Sequence, residues 1–210
     1  MAHRKLSAGE RRERIIASAI GLFSQKGFKG TTTREIAEGA GISEAMVFRY
    51  FPTKEDLYAA IITRAAGEVF EDRSLIEFIS RKDDAGLLRA LATDMMARYE
   101  DDPSFLRLLY YSALEGHYLS EMFFQMRVRQ KIQVLADYIA QRVKDGAFRE
   151  VEPTLTAMGF LGMVVQFIIG RELFGLKRVW AFPREQAVDT FVSLFLSGLR
   201  QQAGQGAGPS

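Results

Sequence analysis

No segment of this 210-residue chain alternates apolar and polar side chains with the two-residue period of a strand. Apolar residues recur instead at three- and four-residue steps in one segment after another. That spacing, interrupted by capping and stop signals, restricts the chain to an all-α fold. Ser7-Ala-Gly-Glu10 has the form of a capping box. Ile15/Ile16, Ala19/Ile20 and Leu22/Phe23 follow at helical spacing until Lys26-Gly27 supplies a terminal charge and a stop. Thr32-Thr-Arg-Glu35 is a second box; it opens a short helix with Ile36 and Ala37 that Gly39-Ala-Gly41 ends within two turns. Ser43 caps a third short helix, Glu44 to Tyr50, which must stop before Pro52. Thr53-Lys-Glu-Asp56 begins a longer connector with Leu57, Ile61, Ala65 and Val69 on one stripe and Tyr58, Ile62, Ala66 and Phe70 beside it.

The later pattern is coarser. Leu87/Leu88, Leu91/Ala92, Met95/Met96 and Tyr99 mark an amphipathic helix ending before Pro103, and residues 104–114 are apolar nearly all round. After Gly116 a long helix carries Met122, Phe123, Val128, Ile132, Leu135, Ile139 and Val143 and closes at Asp145-Gly146. Residues 154–174 have almost no polar face, and Pro183 sits at the first position of a last helix bearing Val188, Phe191, Val192, Phe195 and Leu199. The expectation is about nine helices: three short ones, a connector and a five-helix body. The division expected is a head at 1–53, a body at 54–200, and a low-complexity, disordered tail at 201–210.

Composition removes several functions. The chain has no cysteine and two histidines, His3 and His117, so disulfides, a thiolate nucleophile, a zinc site and a histidine-based triad are not expected. No GxSxG, glycine-rich phosphate loop, nucleotide fingerprint or metal-spaced cluster appears, and the reading is of a protein that is no enzyme and needs no cofactor. Asp83-Asp84 and Asp101-Asp102 lie at helix boundaries, where capping explains them. The basic start is followed by no apolar h-region, and the longest uncharged run, 153–170, is densely apolar only from Met158 and too short to span a bilayer. A cytoplasmic protein without a membrane partner is expected. Residues 1–54 hold ten Lys/Arg against five acids, a net +5, while the remainder is net −3, which points to a polyanion at one end.

Two short helices joined by a glycine-bearing turn are the parts of a helix-turn-helix, with Leu22, Phe23, Ile36, Ile42 and Val47 as its core. The second of the pair would enter the DNA major groove. Val47 and Phe51 can point inward, one turn apart, leaving Glu44, Ala45, Phe48 and Arg49 outward, with Arg49 able to meet either phosphate or guanine.

The stretch TTTREIAEGAGISEAMVFRYFPTKEDL resembles the N-terminal signature of the TetR/AcrR family of bacterial one-component transcriptional regulators, a likeness covering roughly residues 10–60. The resemblance implies a homodimer whose two heads grip successive major grooves of an operator. It also implies a small-molecule effector pocket in the body and, most often, repression relieved by that effector. Matched position by position, Thr32 and Thr33 open the second helix, with Thr32 placed to donate to a phosphate, and Ser43 caps the reading helix. Tyr50 stands where the family contacts phosphate, with packing on the head core as the alternative. Lys54 adds charge at the start of the connector. Phe48 replaces a usual tyrosine, exchanging a hydroxyl contact for apolar contact with a thymine methyl, and Ala45 replaces a usual glycine.

For the body, the surplus apolar surface of the last two helices predicts a two-fold contact through Phe160, Val164, Phe167, Phe191, Leu194 and Phe195, with Met158, Leu161, Val165 and Ile168 packing inward. An aromatic- and methionine-rich middle suggests an apolar or flat aromatic effector held among Met95, Met96, Tyr99, Phe105, Leu109, Tyr110, His117, Tyr118, Met122, Phe123 and Met126, with Gln166 as a polar group. Asp94 and Glu115 would select a cation if they faced inward.

Overall fold

The computed structural model describes residues 7–67 and 73–200. His3, the basic residues 4 and 5, the stripe positions Val69 and Phe70, and the tail at 201–210 lie outside the described residues. Eleven α-helical segments run in order: α1 (Ala8–Lys26), α2 (Thr33–Ala40), α3 (Glu44–Tyr50), α4 (Lys54–Gly67), α5 (Arg73–Arg81), α6 (Asp84–Glu100), α7 (Ser104–Leu114), α8 (Tyr118–Phe123), α9 (Arg129–Lys144), α10 (Pro153–Ile168) and α11 (Arg184–Leu199). A π-helical turn, Phe124–Val128, joins α8 to α9, and another, Ile169–Leu173, extends α10. Among the described residues there is no strand, only an isolated antiparallel bridge between Phe148 and Arg200. The all-α expectation holds, and α5 is the helix the sequence did not announce.

The chain packs as two compact units: Met1–Glu71 with Asp102–Arg127, and Asp72–Asp101 with Val128–Ser210. The division at 53/54 is therefore not where the structure separates, because α4, α7 and α8 pack with the head. The first unit is built on one apolar cluster. Ile15, Ile16, Ala19 and Phe23 bury one face of α1 against Ile36 and Ala37 of α2, Val47 of α3, Phe51, and Leu57, Tyr58, Ile61 and Ile62 of α4; Leu108 of α7 closes it. Each large side chain so buried stabilises by roughly 1.5–3 kcal/mol before entropy is counted. Tyr58 keeps its polar end satisfied by donating to the Leu108 carbonyl at 3.1 Å, and burial pushes its hydroxyl up to about 12.

In the second unit α10 packs on α6, α9 and α11, and α6 also packs on α5 and α11. A three-cornered polar lock joins α6 to α9: Asp84 accepts from Tyr138 Oη at 2.6 Å and from Arg142 Nε at 2.7 Å and Nη2 at 3.1 Å. Arg142 also donates to Asp145, which Lys82 pairs at 2.8 Å. Asp83 does cap α6, through Gly86 N–H, but Asp84 is an ion-pair partner and not a cap. With its π turn, α10 forms one helical rod, Pro153–Leu173, of 21 residues, within which an 18-residue window has a mean hydropathy of 1.6. Its length matches the helix expected over 154–174; by length and composition alone it could cross a membrane, and a third of that window is buried within the protein. Its inner face is the core of the unit. Gly170 lets Trp180 lie against the π turn, since a Cβ there would fall 1.9 Å from the indole.

Candidate nucleic-acid interface

Local chemistry fixes the α2–turn–α3 geometry. Thr32 accepts from Glu35 N–H while the Glu35 carboxylate accepts from Thr32 N–H, the reciprocal capping box. At the other end Gly41 takes the left-handed conformation (φ +69°), and Ile42 N–H reaches back to the Ala37 carbonyl at 3.0 Å. Ser43 Oγ accepts from Met46 N–H to start α3. The hydroxyl of Thr33, in the first turn of α2, donates to the Glu44 carboxylate and ties the two helices together.

Inside, Val47 and Phe51 are buried in the head core; Arg12 lies over the Phe51 ring with its guanidinium carbon 5.3 Å from the centroid. Outside, Ala45 and Arg49 are exposed and Phe48 shows 44% of its surface, with Glu44 half-buried beside them. Tyr50 is half-buried and packs on the core cluster. Lys29 and Arg34 are exposed on the same unit.

Two expected contact residues are otherwise engaged. The Thr32 hydroxyl donates its proton to Glu35 at 2.9 Å, so it is not poised to donate to a phosphate. Lys54 Nζ turns onto the α1–α2 turn, donating to the Phe28 and Thr31 carbonyls at 2.8 and 2.9 Å and lying 4.3 Å from the Phe28 ring centroid. It is a clamp within the head. Lys26, with the capping bonds from Thr32, holds the Glu35 carboxyl down to about 2.

The same turn is held from its other side by residues that no local pattern announces. Phe28 N–H donates to Glu115 at 3.1 Å, and the His117 ring packs 4.4 Å from Phe28 and 4.9 Å from Tyr118. Burial lowers the His117 pKa. Glu115 is thus committed to the backbone, and Asp94 pairs with Arg98 and Lys131, so neither is an open acid for a cationic effector.

The twelve residues expected around an effector are divided between the two units. Met95, Met96, Tyr99 and Gln166 belong to the second unit, the first two buried and Gln166 exposed; the other eight belong to the first. Phe105, Leu109, Met122 and Phe123 pack against the head core, whereas Tyr110, Tyr118 and Met126 are exposed. An open groove of about 300 Å³ on the second unit is lined by Ile79, Lys82, Val134, Asp137, Tyr138, Gln141 and Arg142, none of them among the twelve. A water-sized cavity of about 10 Å³ touches one of them, Met96.

The expected association face is also partly inverted. Phe160 and Val164 are 0% exposed, because α10 turns this side toward its own unit; Phe160 packs on Phe195 with ring centroids 5.0 Å apart. Met158, expected inside, is 47% exposed and stands with Leu155 (68%) on α10 and Leu194 (60%) on α11. Phe167, Phe191 and Phe195 are half-buried.

Residues 15–61 match the family model of bacterial regulatory proteins, tetR family, and residues 87–198 match that of the AefR-like transcriptional repressor, C-terminal domain. The chain is 30% identical over 187 residues to the nucleoid occlusion factor SlmA of Escherichia coli K12, covering 80% of this chain and 88% of that protein. It is 25% identical over 187 residues to the HTH-type transcriptional regulator YvkB of Bacillus subtilis, covering 89% and 96%. The crystal structure of AibR in complex with isovaleryl coenzyme A and operator DNA shares the fold, with a TM-score of 0.61 at 22% identity over 88% of this chain and 97% of that one. A helix-turn-helix with an exposed reading face, followed by a helical body matched over most of its length, makes this chain a member of the TetR family of DNA-binding transcriptional regulators.

Proposed function

We propose that this regulator is a homodimeric repressor, working in the cytoplasm, that leaves a palindromic operator when a small hydrophobic or aromatic effector binds. The observation that carries the reading is the division of α3 into two faces: Val47 and Phe51 anchor it while Ala45, Phe48 and Arg49 stand free of the core. Arg49 supplies a charged contact to phosphate or guanine, and Phe48 an apolar surface for a thymine methyl. The repressor description attached to the matched C-terminal family favours repression. The neighbour crystallised with both an acyl thioester of coenzyme A and operator DNA favours small-molecule control. Self-association is supported by exposed apolar residues on the last two helices, Leu155, Met158 and Leu194, with Phe167, Phe191 and Phe195 beside them.

The test is fluorescence anisotropy against the DNA upstream of the protein's own gene, titrated with salt. Affinity should fall steeply with salt, and Arg49→Ala should weaken binding, by about 1–3 kcal/mol if it reads a base. Salt-independent binding overturns the reading of α3 as the binder of a phosphate-lined groove, and an Arg49→Ala protein with unchanged affinity removes Arg49 from the interface. Light scattering should give twice the mass of one chain, and Met158→Glu with Leu194→Glu should give one. A thermal-shift screen stabilised only by polar acids overturns the apolar effector.

A further inference from the structure

The reading helix carries an acid where its surroundings argue against one. Glu44 is the first residue of α3, and in an operator complex it would approach a groove lined with phosphates. Coulomb repulsion there has to be offset by a donor, and a carboxylate can only accept. The head supplies one donor, the Thr33 hydroxyl, which holds Glu44 from the neighbouring helix. A carboxylate has two oxygens and about four acceptor positions, so this single bond fixes the side chain without exhausting it. Glu44 is half-buried beside the exposed Ala45, Phe48 and Arg49.

We propose that Glu44 is a base-reading residue of this regulator, pre-oriented by Thr33 to accept from the N4 amino group of a cytosine in the operator's major groove. The inference rests on the operator-binding reading above and deepens it. The major-groove edge offers donors only at cytosine N4 and adenine N6, and adenine sets the N7 acceptor beside its donor, where it repels a carboxylate. Guanine presents only acceptors and thymine an acceptor with a methyl, so both are rejected. Thr33 is a positioning residue: it restricts Glu44 to one placement and thereby narrows which base pair is met. If the contact between α2 and α3 were the whole role of Glu44, a neutral hydrogen-bonding side chain would serve as well without the repulsion.

The experiment is in vitro selection of binding sites from random duplex DNA with the full chain, followed by competition binding at fixed salt. Wild type should select cytosine at one position in each half-site, favouring it over the other bases by about 5- to 150-fold. Glu44→Gln should move that one position toward adenine, since an amide pairs with both N6 and N7, and leave the other positions unchanged. Thr33→Val should keep cytosine but reduce its margin. If Glu44→Gln binds with wild-type base preferences, or lowers thermal stability while leaving the selected sequence intact, Glu44 only joins the two helices and the proposal falls while DNA binding stands. If wild type selects no sequence at all, the operator reading fails and takes this one with it.

Discussion

Gly27 is the position where a single methyl group should do most damage. It closes α1 with φ +71° and ψ 179°, a conformation open essentially to glycine, and its Cα faces the carboxylate that receives Phe28 N–H. A Cβ built there lies 2.4 Å from Glu115 Oε1 and 3.1 Å from its Cδ. Gly27→Ala therefore incurs about 1–3 kcal/mol of backbone strain. By displacing Glu115 it also forfeits a hydrogen bond to a charged group, about 1.5–3 kcal/mol. The stiffer unfolded chain returns about 0.4–1 kcal/mol, leaving a net loss of about 2–5 kcal/mol. Urea unfolding read by circular dichroism gives the size, and amide exchange at Phe28 gives the place. Trp180 fluorescence belongs to the other unit and serves as a control. A double-mutant cycle with Glu115→Ala separates the two contributions. In that background the clash and the bond are both absent, so Gly27→Ala should cost only the strain, with a coupling of about 1.5–3 kcal/mol between the sites. A Gly27→Ala protein within 0.5 kcal/mol of wild type, or one equally destabilised with and without Glu115, refutes the reasoning.

Glu35 has its carboxyl held down to about 2 against an ordinary 4.5, so its contribution to folding is present above pH 4.5 and disappears as pH falls toward 2; Glu35→Gln should flatten the acid limb of the stability profile in that window. Lys54→Met keeps the stem over Phe28 but removes the donor to two carbonyls, and should lower stability by about 1–3 kcal/mol without changing the salt slope of DNA binding. A slope reduced by about one with stability intact would return Lys54 to the DNA interface. Asp84→Asn should cost about 1.5–3 kcal/mol, because Arg142 loses its charged partner on α6 and keeps Asp145. It should also bring the Tyr138 hydroxyl, raised first by burial and then by Asp84, part of the way down in an ultraviolet titration.

The head was legible because the interactions that shape it are short in sequence. Ser7 with Glu10, Thr32 with Glu35, Ser43 with Met46 and Thr53 with Asp56 are each three residues apart, and the structure makes every one of these contacts. The inward pair Val47 and Phe51 likewise followed from a four-residue step on one short helix. What spacing could not supply was the second use of the same groups. Whether Thr32 or Lys54 faces DNA depends on where their protons go, and those acceptors are set by the folded turn. Glu115 is 87 residues from Phe28 and Asp84 is 58 from Arg142, and no local pattern joins either pair. The helix α5 was missed for the opposite reason. Its nine residues offer Leu75, Phe78 and Ile79 as an apolar face between charged ends, which is too brief a window for a period to declare itself.

The body resisted for a reason rooted in the hydrophobic effect itself, which is proportional to area and indifferent to partner. A helix such as α10, apolar around its whole circumference, carries no phase in its sequence, so the choice between Phe160 and Met158 as the inner residue passes to whatever packs against it. Here α6, α9 and α11 take the side bearing Phe160, Leu161, Val164 and Ile168, and the side bearing Leu155 and Met158 is left outward. The methionine and aromatic residues of the middle posed the same problem. Apolar surface destined for a core and apolar surface destined for a ligand have identical composition, and only the folded chain assigns Phe105, Leu109, Met122 and Phe123 to the packing of the head. Those four side chains, on α7 and α8, lie more than fifty positions beyond α3 and pack on the same cluster that buries Val47 and Phe51. A regulator built this way should have its DNA affinity altered by substitutions in α7 and α8 without any change in α2 or α3.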